Sequence, residues 1–247
     1  MARDRFEHCS FRSVVCILRT ELSVYLRHPL KHILTRYYAE TKKDRRLQHQ
    51  LYEHTMLSEG NLRAGRYWTL ITNAFTHRDP QHYLFNMISF YTFGRVAAMV
   101  PGVGFLHIMA VSIGSGVFGS IAWLYQDQQK RGAKTTRDPR WGTNARQGRT
   151  VVSMANGASG MVMGVGALAA CLIPTAPMNF MFIPIAIPLW VATLGYVAVD
   201  LFYLDANDSI GHSAHLGGAA FGAVYYLSYL RNKGGVWNIL TRMLRHR

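Results

Sequence analysis

Five stretches of the chain are apolar nearly all round rather than on one face: residues 84–100, 105–125, 151–173, 180–204 and 215–230. Each runs for 16 to 25 residues, close to the length of helix that crosses hydrocarbon, whereas the helix of a soluble core alternates apolar and polar faces. Pro101-Gly102, Pro174 with Pro177, and the stretch 205–211 punctuate them. The pattern predicts an all-α fold, a polytopic membrane helical bundle with five clear transmembrane helices. An earlier run, 11–26, carries Arg12, Arg19 and Glu21 and reads as an interfacial amphipathic helix or a degenerate first span. Residues 65–72 read as a boundary segment, with Tyr67 and Trp68 suited to the headgroup level.

Parity sharpens the picture. If consecutive spans alternate in direction, the first, third and fifth begin on the same side of the membrane. His82 and Asn86 open the first, Ser159 lies near the start of the third, and His215 opens the fifth. Polar groups inside a bilayer are expensive and are functional suspects. Three clusters at one shallow depth on one face are the layout that a composite site needs.

The apolar fraction is 49% yet mean hydropathy is only +0.03, because residues 1–80 and 126–150 dilute the apolar runs. This divides the chain into a basic N-terminal extension at 1–62, interfacial or targeting in character, a membrane domain at 63–230, and a basic C-terminal tail at 231–247. The net charge of +14 sits outside the spans, where it suits lipid headgroups or solvent. No recognition motif accompanies that charge, so no nucleic-acid partner is expected. The first 50 residues hold 11 Lys or Arg against 5 Asp or Glu, an Arg-rich bias that resembles an organelle-targeting segment. Basic residues flank both faces of the bundle, so loop charge does not fix its orientation. The 126–150 stretch reads as a flexible polar insertion. Cys9, Cys16 and Cys171 form neither a metal pattern nor a disulfide framework.

A serine hydroxyl becomes a nucleophile when a base takes its proton, and neutral imidazole is the usual base. Ser159 and His215 supply that pair if their helices touch. Gly218 and Gly222 follow His215, and Gly160 and Gly164 lie beside Ser159, two ridges of small residues that let helix backbones approach closely in lipid. Acyl transfer also needs donors aimed at an oxyanion. His82 and Asn86, four apart, project from one helical face, and the Ser159 backbone N–H at a helix start is a third donor. Asp200 reads as a boundary residue rather than a partner for histidine, so a Ser-His dyad is the expectation. His107 and His212 read as structural or interfacial, Arg95 as snorkelling, and Met161 and Met163 as packing.

These residues resemble the rhomboid intramembrane serine proteases. The resemblance rests on residues 66–77, the His-x-x-x-Asn of His82 to Asn86, the Gly-Ala-Ser-Gly around Ser159, and Ala214-His215 followed by Gly218 and Gly222, in that order across roughly 63–230. Gly-Ala-Ser-Gly-Met-Val-Met and His-Ser-Ala-His-Leu-Gly-Gly-Ala-Ala-Phe-Gly are most similar to the mitochondrial, presenilin-associated rhomboid-like branch. Met163 stands where bacterial members often carry Tyr.

The resemblance implies a serine-type intramembrane endopeptidase that cleaves single-pass transmembrane proteins near the membrane surface. It implies Ser159 as nucleophile, His215 as base, His82 and Asn86 as oxyanion donors, no metal and no organic cofactor. It also implies an integral protein of the mitochondrial inner membrane, with its site toward the intermembrane space. The family core has six helices, and the charge-interrupted 11–26 run is the one candidate for the first. A catalytically impaired rhomboid-like pseudoprotease that binds or translocates membrane helices is the alternative. A transporter or channel would need polar residues through the full depth of the bundle.

Overall fold

A computed structural model of the chain describes residues 45–77, 80–137, 153–180, 183–206 and 210–245; the 11–26 run lies outside the described residues. The described chain is mostly helical. Two short helices, α1 (Arg45–Thr55) and α2 (Glu59–Arg63), precede α3 (Thr69–Thr72) and a 3-10 turn at Asn73–Phe75. Then come α4 (Pro80–Ala98), α5 (Phe105–Arg137), α6 (Ser159–Leu172), a hairpin of β1 (Pro177–Phe180) and β2 (Ile183–Pro188), α7 (Leu189–Phe202) and α8 (His212–Tyr225). A π-helical turn at Tyr226–Leu230 prolongs α8, and α9 (Val236–Arg245) is the last described element.

Helices stand in all five apolar runs, but their extents differ from the runs. Among the described residues, one helix, over Phe105–Arg131, is long and apolar enough to cross a membrane on its own. The 180–204 run is not a single helix. Pro184 and Pro188 cannot donate to a helical ladder, and each biases the residue before it toward extended backbone. Residues 183–188 therefore form a strand that pairs antiparallel with β1, with Pro177 opposite Pro188 and Met178 opposite Ile187, and α7 begins only at Leu189. Over its described residues, from 153 on, the 151–173 run is helical only from Ser159, because Gly157 takes φ +118° and Ala155 is bonded to Leu57 in both directions, at 3.1 and 3.0 Å.

The polar 126–150 stretch departs from expectation over 126–137, where α5 continues as helix to Arg137; residues 138–150 lie outside the described residues. Arg131 Nε donates to Asp127 Oδ2 one turn back at 2.8 Å, and Lys130 Nζ donates to the Ala206 carbonyl at 3.0 Å. Gln126 Nε2 donates to the Leu204 carbonyl. Three polar contacts thus tie residues 126–131 down.

Helix directions follow from which glycines meet which neighbours. A methyl group at Gly160 would touch the Ala214 carbonyl, one at Gly218 would overlap Gly160, and one at Gly222 would overlap Gly164, so α6 and α8 run parallel with backbones in contact. On α5, Gly114 abuts Phe221 and Gly119 abuts Ala214, so α5 runs opposite to α8. Gly157 abuts His82 while Gly166 abuts Phe93, which makes α4 parallel to α6. The apolar core, with Phe93, Ala97, Val165, Leu168, Leu172, Leu189, Tyr226 and Leu230, fills the end of the bundle where α4, α6 and α8 finish. That leaves their starts free to build a polar chamber.

Candidate active site

Polar groups from α4, α6, α7 and α8 line one cavity of about 1120 Å³ at that end: His82, Asn86, Ser159, Asp200, His212 and His215. The four residues singled out from the sequence are thus brought to one chamber. His82 and Asn86 lie one turn apart on α4, which opens on Pro80, a residue suited to a first helical turn. Ser159 is the first residue of α6, where backbone N–H groups lack helical partners. No hydrogen bond links its hydroxyl to the His215 ring in this structure; the two groups share the chamber, and catalytic contacts of this kind often tighten only with substrate bound.

The loop entering α6 is braced by residues to which the sequence reading assigned no role. Asn73 Nδ2 donates to the Thr69 carbonyl at 2.5 Å and to Ser120 Oγ at 2.9 Å, while the Asn73 backbone carbonyl accepts from Gly157 N–H at 2.9 Å. Ala158 N–H donates to His77 Nε2 at 3.3 Å. A Cβ at Gly157 would lie 2.8 Å from His82 Cε1, so glycine is needed here both for its positive φ and for the approach of that ring. His77 and His82 meet edge to face at 5.3 Å between centroids. Asn86 is buried, and its Nδ2 has no hydrogen-bond partner among the described residues. Such a donor costs free energy unless a ligand supplies the acceptor.

Asp200 is the principal correction to the sequence reading. It is not a boundary group: its carboxylate is buried, and Oδ1 accepts from His212 Nδ1 at 2.7 Å and from His215 Nδ1 at 3.0 Å. A carboxylate within apolar helix costs on the order of 2.5–3.5 kcal/mol, which two charge-assisted bonds at about 1.5–3 kcal/mol each can offset. With Nδ1 so engaged, the opposite ring nitrogen of His215 is left as the atom for chemistry. The legible signal was a lone acid inside the apolar sequence Leu189 to Phe202. The ligand atoms of Asp200, His212 and His215 also lie within 4.8 Å of one another, a set that could hold a metal ion. Zinc bonds of about 2.0–2.2 Å in tetrahedral geometry spread ligand atoms to roughly 3.4 Å. Oxygen-to-nitrogen separations of 2.7 and 3.0 Å fit hydrogen bonds better.

A membrane-type helical bundle with serine, histidine and a donor pair around one chamber defines a class, and comparison with known proteins gives the family. Residues 64–232 match the Rhomboid domain, and the chain belongs to the rhomboid family of integral membrane proteins. It is 34% identical over 182 residues to RHOMBOID-like protein 12, mitochondrial, of Arabidopsis thaliana, a match covering 72% of this chain and 51% of that protein. It is 26% identical over 214 residues to an uncharacterized mitochondrial rhomboid protein of Schizosaccharomyces pombe, covering 72% and 54%. Against Rhomboid protein 1, mitochondrial, of Saccharomyces cerevisiae, identity is 27% over 158 residues, covering 64% and 40%. The chain therefore spans about half the length of the curated relatives it matches.

Proposed function

We propose that this protein is an intramembrane serine endopeptidase of the mitochondrial inner membrane, with its chamber toward the intermembrane space, acting on single-pass transmembrane proteins. The observation that carries the proposal is the convergence of Ser159, His215, His82 and Asn86 on one chamber, with Asp200 bonded to the far nitrogen of His215. Family membership and three relatives named as mitochondrial support the activity and the address. The catalytic unit is residues 63–230, flanked by the 1–62 extension and the 231–247 segment.

In this reading α4 to α8 all cross the bilayer. The 14 residues of α6 span only about 21 Å, but the extended backbone at 153–157 lines the chamber, where non-helical chain is tolerated at membrane depth.

The reaction follows from the groups present. The free ring nitrogen of His215 takes the Ser159 proton as Oγ attacks the scissile carbonyl carbon, and Asp200 holds the ring's tautomer and stabilises the imidazolium. The new oxyanion accepts hydrogen bonds from Asn86 Nδ2, His82 and the Ser159 backbone N–H. The C–N bond then breaks, His215 returns the proton to the leaving amine, and water hydrolyses the acyl-enzyme by the same route. A substrate helix must unwind locally for its carbonyl to reach Ser159, so Gly, Ala or Ser near the cut favours cleavage.

The test is cleavage of a single-pass substrate co-reconstituted with the purified protein. Ser159→Ala and His215→Ala should each abolish product while leaving the protein folded. A helix-binding pseudoprotease predicts instead that Ser159→Ala behaves as the parent does, and retained turnover in either variant would refute the assignment.

A further inference from the structure

The helix α9 is partitioned into two uninterrupted sectors. At 100° per residue, Ile239, Met243, Val236, Leu240, Leu244 and Trp237 fall in one arc of about 160°, and Thr241, Arg245, Asn238 and Arg242 fill the other. No residue of α9 is fully buried; Trp237, at one edge of the apolar arc, packs against the core, while Met243 is 62% exposed and Leu244 72% exposed, with Ile239 and Leu240 about half exposed. Yet the helix is firmly attached. Tyr226, fully buried, donates its hydroxyl to the Gly234 carbonyl at 2.6 Å and accepts from Trp237 N–H at 2.9 Å. Gly235 sits so close to the Cys171 carbonyl that a Cβ would overlap it. The attachment point is the finishing end of α6, and Lys233 reaches Gly102 in the turn after α4. It is the end of the bundle opposite Ser159.

We propose that α9 docks flat on the acidic phospholipid surface of the leaflet opposite the catalytic chamber. The helix lies at the end of a membrane bundle, where an exposed apolar sector meets the boundary between headgroups and acyl chains. Residues 231–247 carry Arg231, Lys233, Arg242, Arg245 and Arg247 and no acid, which matches an anionic surface. Arg231 lies over the Trp237 ring at 5.2 Å, so the cationic collar continues from the loop onto the helix. A second copy of the same helix is a poorer occupant, because its cationic borders would face their like. The proposal concerns lipid contact and stands whether or not the chamber is catalytic.

The test uses the full chain in nanodiscs of phosphatidylcholine alone or mixed with phosphatidylglycerol. With the native cysteines replaced, an environment-sensitive fluorophore is placed at Leu244→Cys or at Asn238→Cys. Docking predicts that the first probe is shielded from an aqueous quencher in the acidic discs while the second stays accessible. Arg242→Gln with Arg245→Gln should lower the docked-to-undocked ratio roughly 25-fold, at about 1 kcal/mol per arginine. As a label-free check on the native chain, cleavage by trypsin after Arg242 should be slower in acidic discs. Equal quenching at both probes would overturn the proposal. So would shielding that is the same in both lipids, or shielding that grows with protein concentration in detergent.

Discussion

Asp200 Oδ1 lies 3.0 Å from His215 Nδ1, across the gap between α7 and α8, and the same oxygen accepts from His212 at 2.7 Å. In the proposed reading Asp200 thereby orients the ring that serves Ser159 as base. Asp200→Asn would leave the shape but lose the charge and the preferred tautomer. In serine hydrolases of the Ser-His-Asp kind the matching change costs about 10⁴-fold in kcat. We expect kcat for a reconstituted substrate to fall by on the order of 10²–10⁴-fold with KM little changed, and Asp200→Glu to recover part of it. A parallel fall in thermal stability with no change in kcat would make Asp200 structural.

His212 shares that oxygen from the first residue of α8, about one turn before His215. His212→Leu should remove one buried charge-assisted bond, lowering stability by about 1.5–3 kcal/mol while kcat stays within roughly ten-fold of the parent. Thermal unfolding and steady-state cleavage on the same preparation separate the two effects.

Asn86 offers a sharper contrast. Its Nδ2 is buried without a partner among the described residues, so Asn86→Ala should not destabilise the resting protein and can relieve about 1–3 kcal/mol of unmet desolvation. As an oxyanion donor it should nonetheless be worth about 10²–10³-fold in kcat. Higher or equal melting temperature with crippled turnover is the expected signature.

The small-residue contact between α6 and α8 is tested by size. Gly218→Val drives a side chain into the Gly160 backbone and should cost about 1–3 kcal/mol with loss of activity, because Ser159 and His215 are carried on the two helices it forces apart. Gly195→Ala, on the exposed face of α7 with no heavy atom within 4 Å of the new methyl, should change neither. Melting and cleavage assays on the pair check both.

Much of this was legible in the pattern of the chain because the period of apolar runs reports burial all round, and because parity needs only a count of runs. Ser159, His215, His82 and Asn86 stood out as polar groups in apolar surroundings. Extents were less legible. The 180–204 run is apolar throughout, and the count of apolar residues hid what Pro184 and Pro188 forbid, a helix through them. Asp200 was misread because its position near a run's end suggested solvent, whereas its two imidazole partners approach from α8, a contact that no local pattern encodes. The braces from Asn73 and His77 to the Gly157 loop are likewise contacts between distant segments.

The central claim, that Ser159 is a nucleophile activated by His215, is tested most directly by covalent labelling of the reconstituted protein with a fluorophosphonate, followed by mass spectrometry of the modified peptide. A single adduct on Ser159 is expected, absent in Ser159→Ala and strongly slowed in His215→Ala. An unlabelled Ser159 in folded protein, or labelling indifferent to His215, would contradict it.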